Sequence, residues 1–132
     1  MLGSPFSLWL AVAAGGALGA IARYALALTI APRSLGGASI NGTVVANVLG
    51  CLLIGLLVPV VGRGEGVWRS LLIVGLLGSL TTFSTFSLET VELLQRRAYA
   101  AAVANVVGSV VLGAAAVAIG LAVATRLVRD AP

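Results

Sequence analysis

The chain has 132 residues, of which 60% are apolar and only 9% charged, with a mean hydropathy of +1.14. A soluble domain carries roughly 25% charged residues, so this chain has too few to coat a water-facing surface, which excludes a cytosolic globular enzyme. The formal charge of +4 comes from eight Arg against four acids, with no Lys and no His; scattered Arg without interleaved aromatics exclude a nucleic-acid partner, a lone Cys51 excludes an intramolecular disulfide framework, and the lack of His excludes a transition-metal cluster.

The composition is that of an integral membrane protein. A bilayer core about 30 Å thick needs about 20 apolar residues per helix, and four stretches qualify: residues 8–30, 40–61, 70–94 and 98–127. They predict an all-α fold, a single four-helix transmembrane domain over residues 1–132. No basic segment precedes the first run, which is long enough to span, so it reads as a helix rather than a cleaved leader. The links are too short to hold a site, and function is expected inside the helices.

The first span carries Gly15-Gly16-Ala17-Leu18-Gly19-Ala20, with Gly15 and Gly19 at the small-xxx-small spacing. Lipid provides no hydrophobic drive for helices to associate, so close backbone approach at small residues supplies much of the packing. Gly75, Gly78, Gly108 and Gly113 extend the signal to later spans. Four helices enclose little interior, which predicts an oligomer. Arg23, in the last third of the first span, either snorkels to the interface or holds a positive vestibule.

The link of residues 31–39 contains Pro32 and a Gly-Gly pair. At the entrance to the second span Asn41 is expected to cap the helix. Behind it Thr43, Asn47 and Gly50 fall at i, i+4 and i+7, a single helical face.

The third span is the most polar. Residues 79–90 hold seven hydroxyls in twelve positions (Ser79, Thr81, Thr82, Ser84, Thr85, Ser87 and Thr90), and Thr82-Phe83-Ser84 repeats at once as Thr85-Phe86-Ser87. On a continuous helix the period of three stacks Phe83 and Phe86 one turn apart, with hydroxyl stripes of Thr82 and Thr85 on one side and Ser84 and Ser87 on the other. A hydroxyl that bonds back to the preceding turn explains one or two such residues. Seven of them, interleaved with both aromatics of the span, predict a polar route or a distorted helix. Gly75 and Gly78, followed by β-branched residues, predict a break near the middle of this span. Carbonyls freed at a break are a ready cation site. Farther along, Glu92 and Arg96 form an i, i+4 pair of the favourable order, whereas Glu89, one turn deeper, faces the hydroxyl track as a candidate pathway mouth. In the fourth span Asn105, Ser109 and Gly113 repeat the polar-small pattern at i, i+4 and i+8. Either Asn alone reads as interhelical glue; two such stripes beside a hydroxyl-and-aromatic helix read as a lined pathway.

Orientation follows from the Arg count. Arg63, Arg69, Arg126 and Arg129 lie on the side of the N-terminus; Arg33, Arg96, Arg97 and the inward-leaning Arg23 lie opposite. Topology is set by an excess of basic residues in cytoplasmic loops, and here there is none. The balance predicts insertion in both directions and pairing of inverted copies; the plainer alternative is a weakly biased chain oriented by its lipids or by a partner chain. The lining has no carboxylate at mid-membrane. Amides, hydroxyls and the electropositive rims of Phe rings offer positive potential without net charge, which suits a small anion that must shed water.

The runs Gly16-Ala17-Leu18-Gly19-Ala20-Ile21-Ala22-Arg23-Tyr24, Gly42-Thr43 with Asn47 and Gly50, and Gly75-Leu76-Leu77-Gly78-Ser79-Leu80-Thr81-Thr82-Phe83-Ser84-Thr85-Phe86-Ser87-Leu88-Glu89 resemble the CrcB/Fluc fluoride channels over nearly the whole chain. That resemblance implies an antiparallel, dual-topology dimer in the cell membrane, formed with a second inverted copy or a related chain, with two fluoride pores and a structural sodium ion (Na+) at its centre. It implies that Phe83 and Phe86 offer their ring edges to fluoride, that Asn47, Thr43, Ser84, Thr85 and Ser109 line the path, and that Arg23 and Glu89 belong to a vestibule. Backbone carbonyls of Gly78 and Thr81 match the sodium site. Asn105 stands where many members have Tyr. The expected function is passive fluoride export that relieves fluoride toxicity. The alternatives are a small dual-topology multidrug exporter, which would need a membrane-buried Glu that the first span lacks, and a non-transporting assembly subunit.

Overall fold

The computed structural model describes residues 4–30, 33–35, 38–62 and 66–129; Pro32, Gly36, Gly37 and Arg63 lie outside them. Helix α1 spans Pro5–Thr29. The Ser4 hydroxyl accepts the Ser7 N–H at 3.3 Å, and Pro5 occupies the first turn, where a missing N–H costs nothing. A two-stranded antiparallel hairpin follows, β1 (Arg33–Leu35) with β2 (Ala38–Ile40), in the register Arg33 to Ile40, Ser34 to Ser39 and Leu35 to Ala38. The all-α expectation holds for the four membrane-length helices; this small hairpin, which the sequence did not announce, lies in the link outside the spans. The sequence between its strands, Gly-Gly, is of the kind that two-residue links favour.

Helix α2 spans Gly42–Val61 and begins as expected: Asn41 Oδ1 accepts the Val44 N–H at 3.0 Å. The third span is discontinuous. Its first half, α3, is made of an α turn at Val67–Arg69, a π-helical stretch at Ser70–Leu77 and an α turn at Gly78–Leu80. Thr81 and Thr82 are extended, and α4 restarts at Phe83–Gln95. Helix α5 spans Tyr99–Arg129. The turn into α5 is a Schellman motif: the Ala98 N–H bonds the Leu93 carbonyl and the Arg97 N–H that of Leu94, both at 2.9 Å, with Arg97 at φ 58°.

Small residues make most of the interior, joined by Ile73, Leu77 and Leu80 of α3. The buried positions of α1 are Ala11, Gly15 and Gly19, four apart, and those of α2 include Gly42, Ala46 and Gly50 at the same spacing. Gly15 abuts the Leu71 carbonyl and Gly19 that of Leu76, so a Cβ at either glycine would collide with backbone. Four residues along α1 therefore match five along α3. That is the repeat of the π-helix, whose i→i+5 bonding brings residues five apart onto one face. The second seam joins α2 to α5, where Cys51 faces Gly113, Gly55 meets Val117 and Leu56 meets Gly120. In both seams the contacts advance together along the two helices, so α1 runs parallel to α3 and α2 parallel to α5. Large apolar side chains such as Phe6, Trp9, Leu28 and Val110 point outward, as lipid or a neighbouring chain requires.

Candidate functional site

The break at Thr81 and Thr82 draws together polar groups of α1, α2 and α3. Thr81 still belongs to the preceding turn, with its N–H and its hydroxyl both on the Leu77 carbonyl at 3.1 and 3.0 Å. Thr82 does not. Its N–H donates to Asn47 Oδ1 at 2.8 Å, and Asn47 Nδ2 donates to the Thr82 carbonyl at 3.2 Å. One side-chain amide thus replaces a peptide unit, satisfying backbone that lipid would leave bare. Because the Thr82 N–H goes to Asn47, the Gly78 carbonyl lacks the i+4 amide of a continuous helix. The Ser79 carbonyl takes Arg23 Nε at 3.1 Å, so Arg23 is anchored on the broken segment rather than snorkelling.

Thr82 also starts α4. Its hydroxyl accepts the Thr85 N–H at 3.2 Å and sits 3.0 Å from the Ser84 hydroxyl and 3.1 Å from that of Thr85. The continuous stripes expected on a period of three are corrected accordingly: Thr82 precedes the helix as its cap, and three hydroxyls cluster around that cap. Ser87 and Thr90 bond back to the Phe83 and Phe86 carbonyls at 2.9 and 2.8 Å, the ordinary way for a helix to absorb a hydroxyl. The Phe83 and Phe86 rings adjoin with centroids 5.7 Å apart and planes tilted by 41°.

Two cavities meet at this point. The larger, an open groove of about 400 Å³, brings together Asn47, Gly78, Thr81, Thr82, Phe83, Phe86 and Ser109 between apolar walls that include Ile54, Ile73, Leu77 and Val110. The smaller, about 250 Å³, lies toward the hairpin side and is lined by Arg23, Tyr24, Thr43, Thr82 and Thr85 with small residues of α1 and α2. Thr82 borders both. Beside the smaller cavity, the Thr43 hydroxyl donates to Glu89 Oε1 at 2.7 Å, while Glu89 Oε2 is buried without a partner.

A family model described as CrcB-like protein, Camphor Resistance (CrcB), matches residues 10–121. The chain belongs to the CrcB family. A relative named fluoride-specific ion channel FluC, from Phenylobacterium zucineum (strain HLK1), is 48% identical over 122 residues, covering 89% of this chain and 95% of the relative. Proteins of the same name from Caulobacter sp. (strain K31) and Saccharophagus degradans are 45% and 41% identical, covering 89% and 92% of this chain and 94% and 92% of their own lengths. With four helices long and apolar enough to cross a membrane, this CrcB chain is a multi-pass membrane protein.

Within the CrcB chain the expected site residues divide into groups. Asn47, Phe83, Phe86 and Ser109 share the groove with Gly78 and Thr81; Arg23, Thr43 and Thr85 share the smaller cavity, with Glu89 bonded to its wall. Ser84 and Asn105 border neither cavity. Ser84 belongs to the cap cluster, and Asn105, only 5% exposed, donates to the Thr90 hydroxyl at 3.0 Å. The Glu92–Arg96 pair forms at 4.0 Å on an exposed surface, where such pairs contribute little. Sequence reasoning missed Thr82 as the shared wall, since nothing in a repeated triplet marks which copy lies outside the helix.

Proposed function

We propose that this chain is a fluoride channel that lets the anion leave the cell passively down its electrochemical gradient, relieving fluoride toxicity. The observation that carries the reading is the convergence of Asn47, Phe83, Phe86 and Ser109 in one groove of a CrcB chain, together with relatives named fluoride-specific ion channel. Each of these groups presents hydrogen-bearing atoms to an anion without carrying net charge: ring rims, an amide and a hydroxyl. They replace part of the ion's water shell without binding it so strongly that it stays. Arg23, near the hairpin side, raises the local anion concentration at the mouth. Nothing in such a path stores energy or couples to a second solute, which fits a passive route.

The groove is open in a single chain, and an inverted second copy closes it. The antiparallel dual-topology dimer with two pores, formed in the cell membrane by two copies or by this chain and a related one, is part of the proposal. The balanced Arg count supports it. A structural Na+ fits the break in donor chemistry. The Gly78 carbonyl is relieved of its helical amide and Thr81 is extended, both on the groove; two carbonyls from each of two copies would hold the ion and fix a positive charge between the pores.

The test is efflux from liposomes containing the purified protein. Fluoride release far faster than chloride release supports the proposal; equal rates reject it.

A further inference from the structure

Helix α4 carries both aromatic rings, yet none of its residues is buried and no small-residue seam holds it. Among the described residues its interhelical hydrogen bonds come from α2 and α5. At its cap Thr82 is held by Asn47, in its middle Glu89 takes the Thr43 hydroxyl, and one residue later Thr90 takes the Asn105 amide. The last tie is a directed chain: Asn105 Nδ2 donates to Thr90 Oγ1 at 3.0 Å, and that hydroxyl donates to the Phe86 carbonyl at 2.8 Å. Each link polarises the next. At roughly 100° per residue, Thr90 lies at an angle between those of Phe83 and Phe86, so the contact that pins Thr90 pins the face carrying both rings.

We infer that Asn105 is a positioning residue for the ion path: through Thr90 it sets the rotation of α4 and thereby the aim of the Phe83 and Phe86 rims. Asn105 borders neither cavity and is 5% exposed, so it acts without touching the ion. The inference rests on the fluoride-channel reading.

The test compares Thr90→Val, which keeps the shape and removes the hydroxyl, with Thr90→Ser, which keeps the hydroxyl, and with Asn105→Leu and the double variant Asn105→Leu/Thr90→Val. Liposome fluoride flux and hydrogen exchange of the α4 amides are read in parallel, with dimer elution as the control for folding. Thr90→Val and Asn105→Leu are expected to lower flux roughly three- to twentyfold, the population change that an interhelical hydrogen bond in a membrane supports. Both should speed exchange in α4, the double variant should be no worse than either single one, and Thr90→Ser should match the parent. Loss of flux in Asn105→Leu with an unaffected Thr90→Val overturns the inference, as does a double variant whose defects add. If the parent itself carries no fluoride, the channel reading fails, and the exchange data alone decide whether Asn105 holds α4.

Discussion

Asn47 and Thr82 pair as two peptide units do, with the Thr82 N–H on Asn47 Oδ1 at 2.8 Å and Asn47 Nδ2 on the Thr82 carbonyl at 3.2 Å. A side chain of α2 thus closes the gap in a helix thirty-five residues farther along the chain. The break and the neighbouring helix are one unit: neither has its polar groups satisfied without the other.

Asn47→Ala leaves the Thr82 N–H and carbonyl without their partner. We expect a loss of about 1–3 kcal/mol, the cost of an unpaired buried donor, read as a lower melting temperature in detergent, together with loss of fluoride efflux. Asn47→Asp keeps an acceptor for the N–H but faces the carbonyl with a second oxygen, and is expected to be at least as damaging. A protein as stable as the parent after either change would remove the clamp from the account.

Gly50 faces the methyl group of Thr81, and a Cβ at that glycine would overlap Thr81 Cγ2. Gly50→Ala is expected to destabilise by about 1–3 kcal/mol through overpacking. Thr81→Ser removes the methyl and keeps the hydroxyl that bonds Leu77. The double variant Gly50→Ala/Thr81→Ser should therefore recover most of the loss, a non-additivity that a thermal-unfolding cycle measures.

Phe83 is 79% exposed in the single chain, whereas Phe86 is half-buried. Replacing Phe83 by Ile removes ring edges at almost no cost in intrachain packing, within about 0.5 kcal/mol as at other open positions. Phe83→Ile and Phe86→Ile are both expected to abolish fluoride efflux while the protein elutes as the parent does, at the position of the proposed dimer. Unchanged efflux in either variant would clear that ring of a role.

Arg97 adopts φ 58° in the turn between α4 and α5, a conformation that costs a residue with a Cβ roughly 1–2 kcal/mol. Glycine is the usual occupant of this position in a Schellman turn. Arg97→Gly is expected to raise the melting temperature without changing efflux; a lower temperature would mean that the Arg side chain holds the turn.

Much of this architecture was legible in the residues. Apolar runs gave four spans to within a few positions, Asn41 announced its cap, and glycines ahead of a β-branched run announced the discontinuity in the third span. Its exact location, three to four residues past Gly78, was not legible, because it depends on Asn47 offering an amide to Thr82 from another helix. The π-helical stretch was hidden for the same kind of reason: it matches the glycine spacing of α1, a property of the pair and not of the Ser70–Leu77 sequence. Gly55 and Gly120 escaped notice although they form the α2–α5 seam, while Gly108, singled out beforehand, has nothing within 4 Å of an added Cβ. Which glycine matters is decided by the facing backbone. Asn41, Asn47 and Asn105 illustrate the same limit. Side-chain type flagged all three, but only their contacts separate a helix cap, a clamp and a tether.

Thr82 borders both cavities, receives the Asn47 amide through its backbone, and caps α4 with its hydroxyl. Attempts to re-engineer one compartment at this position therefore disturb its neighbour too. Serine alone preserves every polar bond it makes, so a saturation library at codon 82 should return almost nothing else, and the breadth of tolerated replacements there is a direct readout of how tightly the two compartments are bound to a common wall.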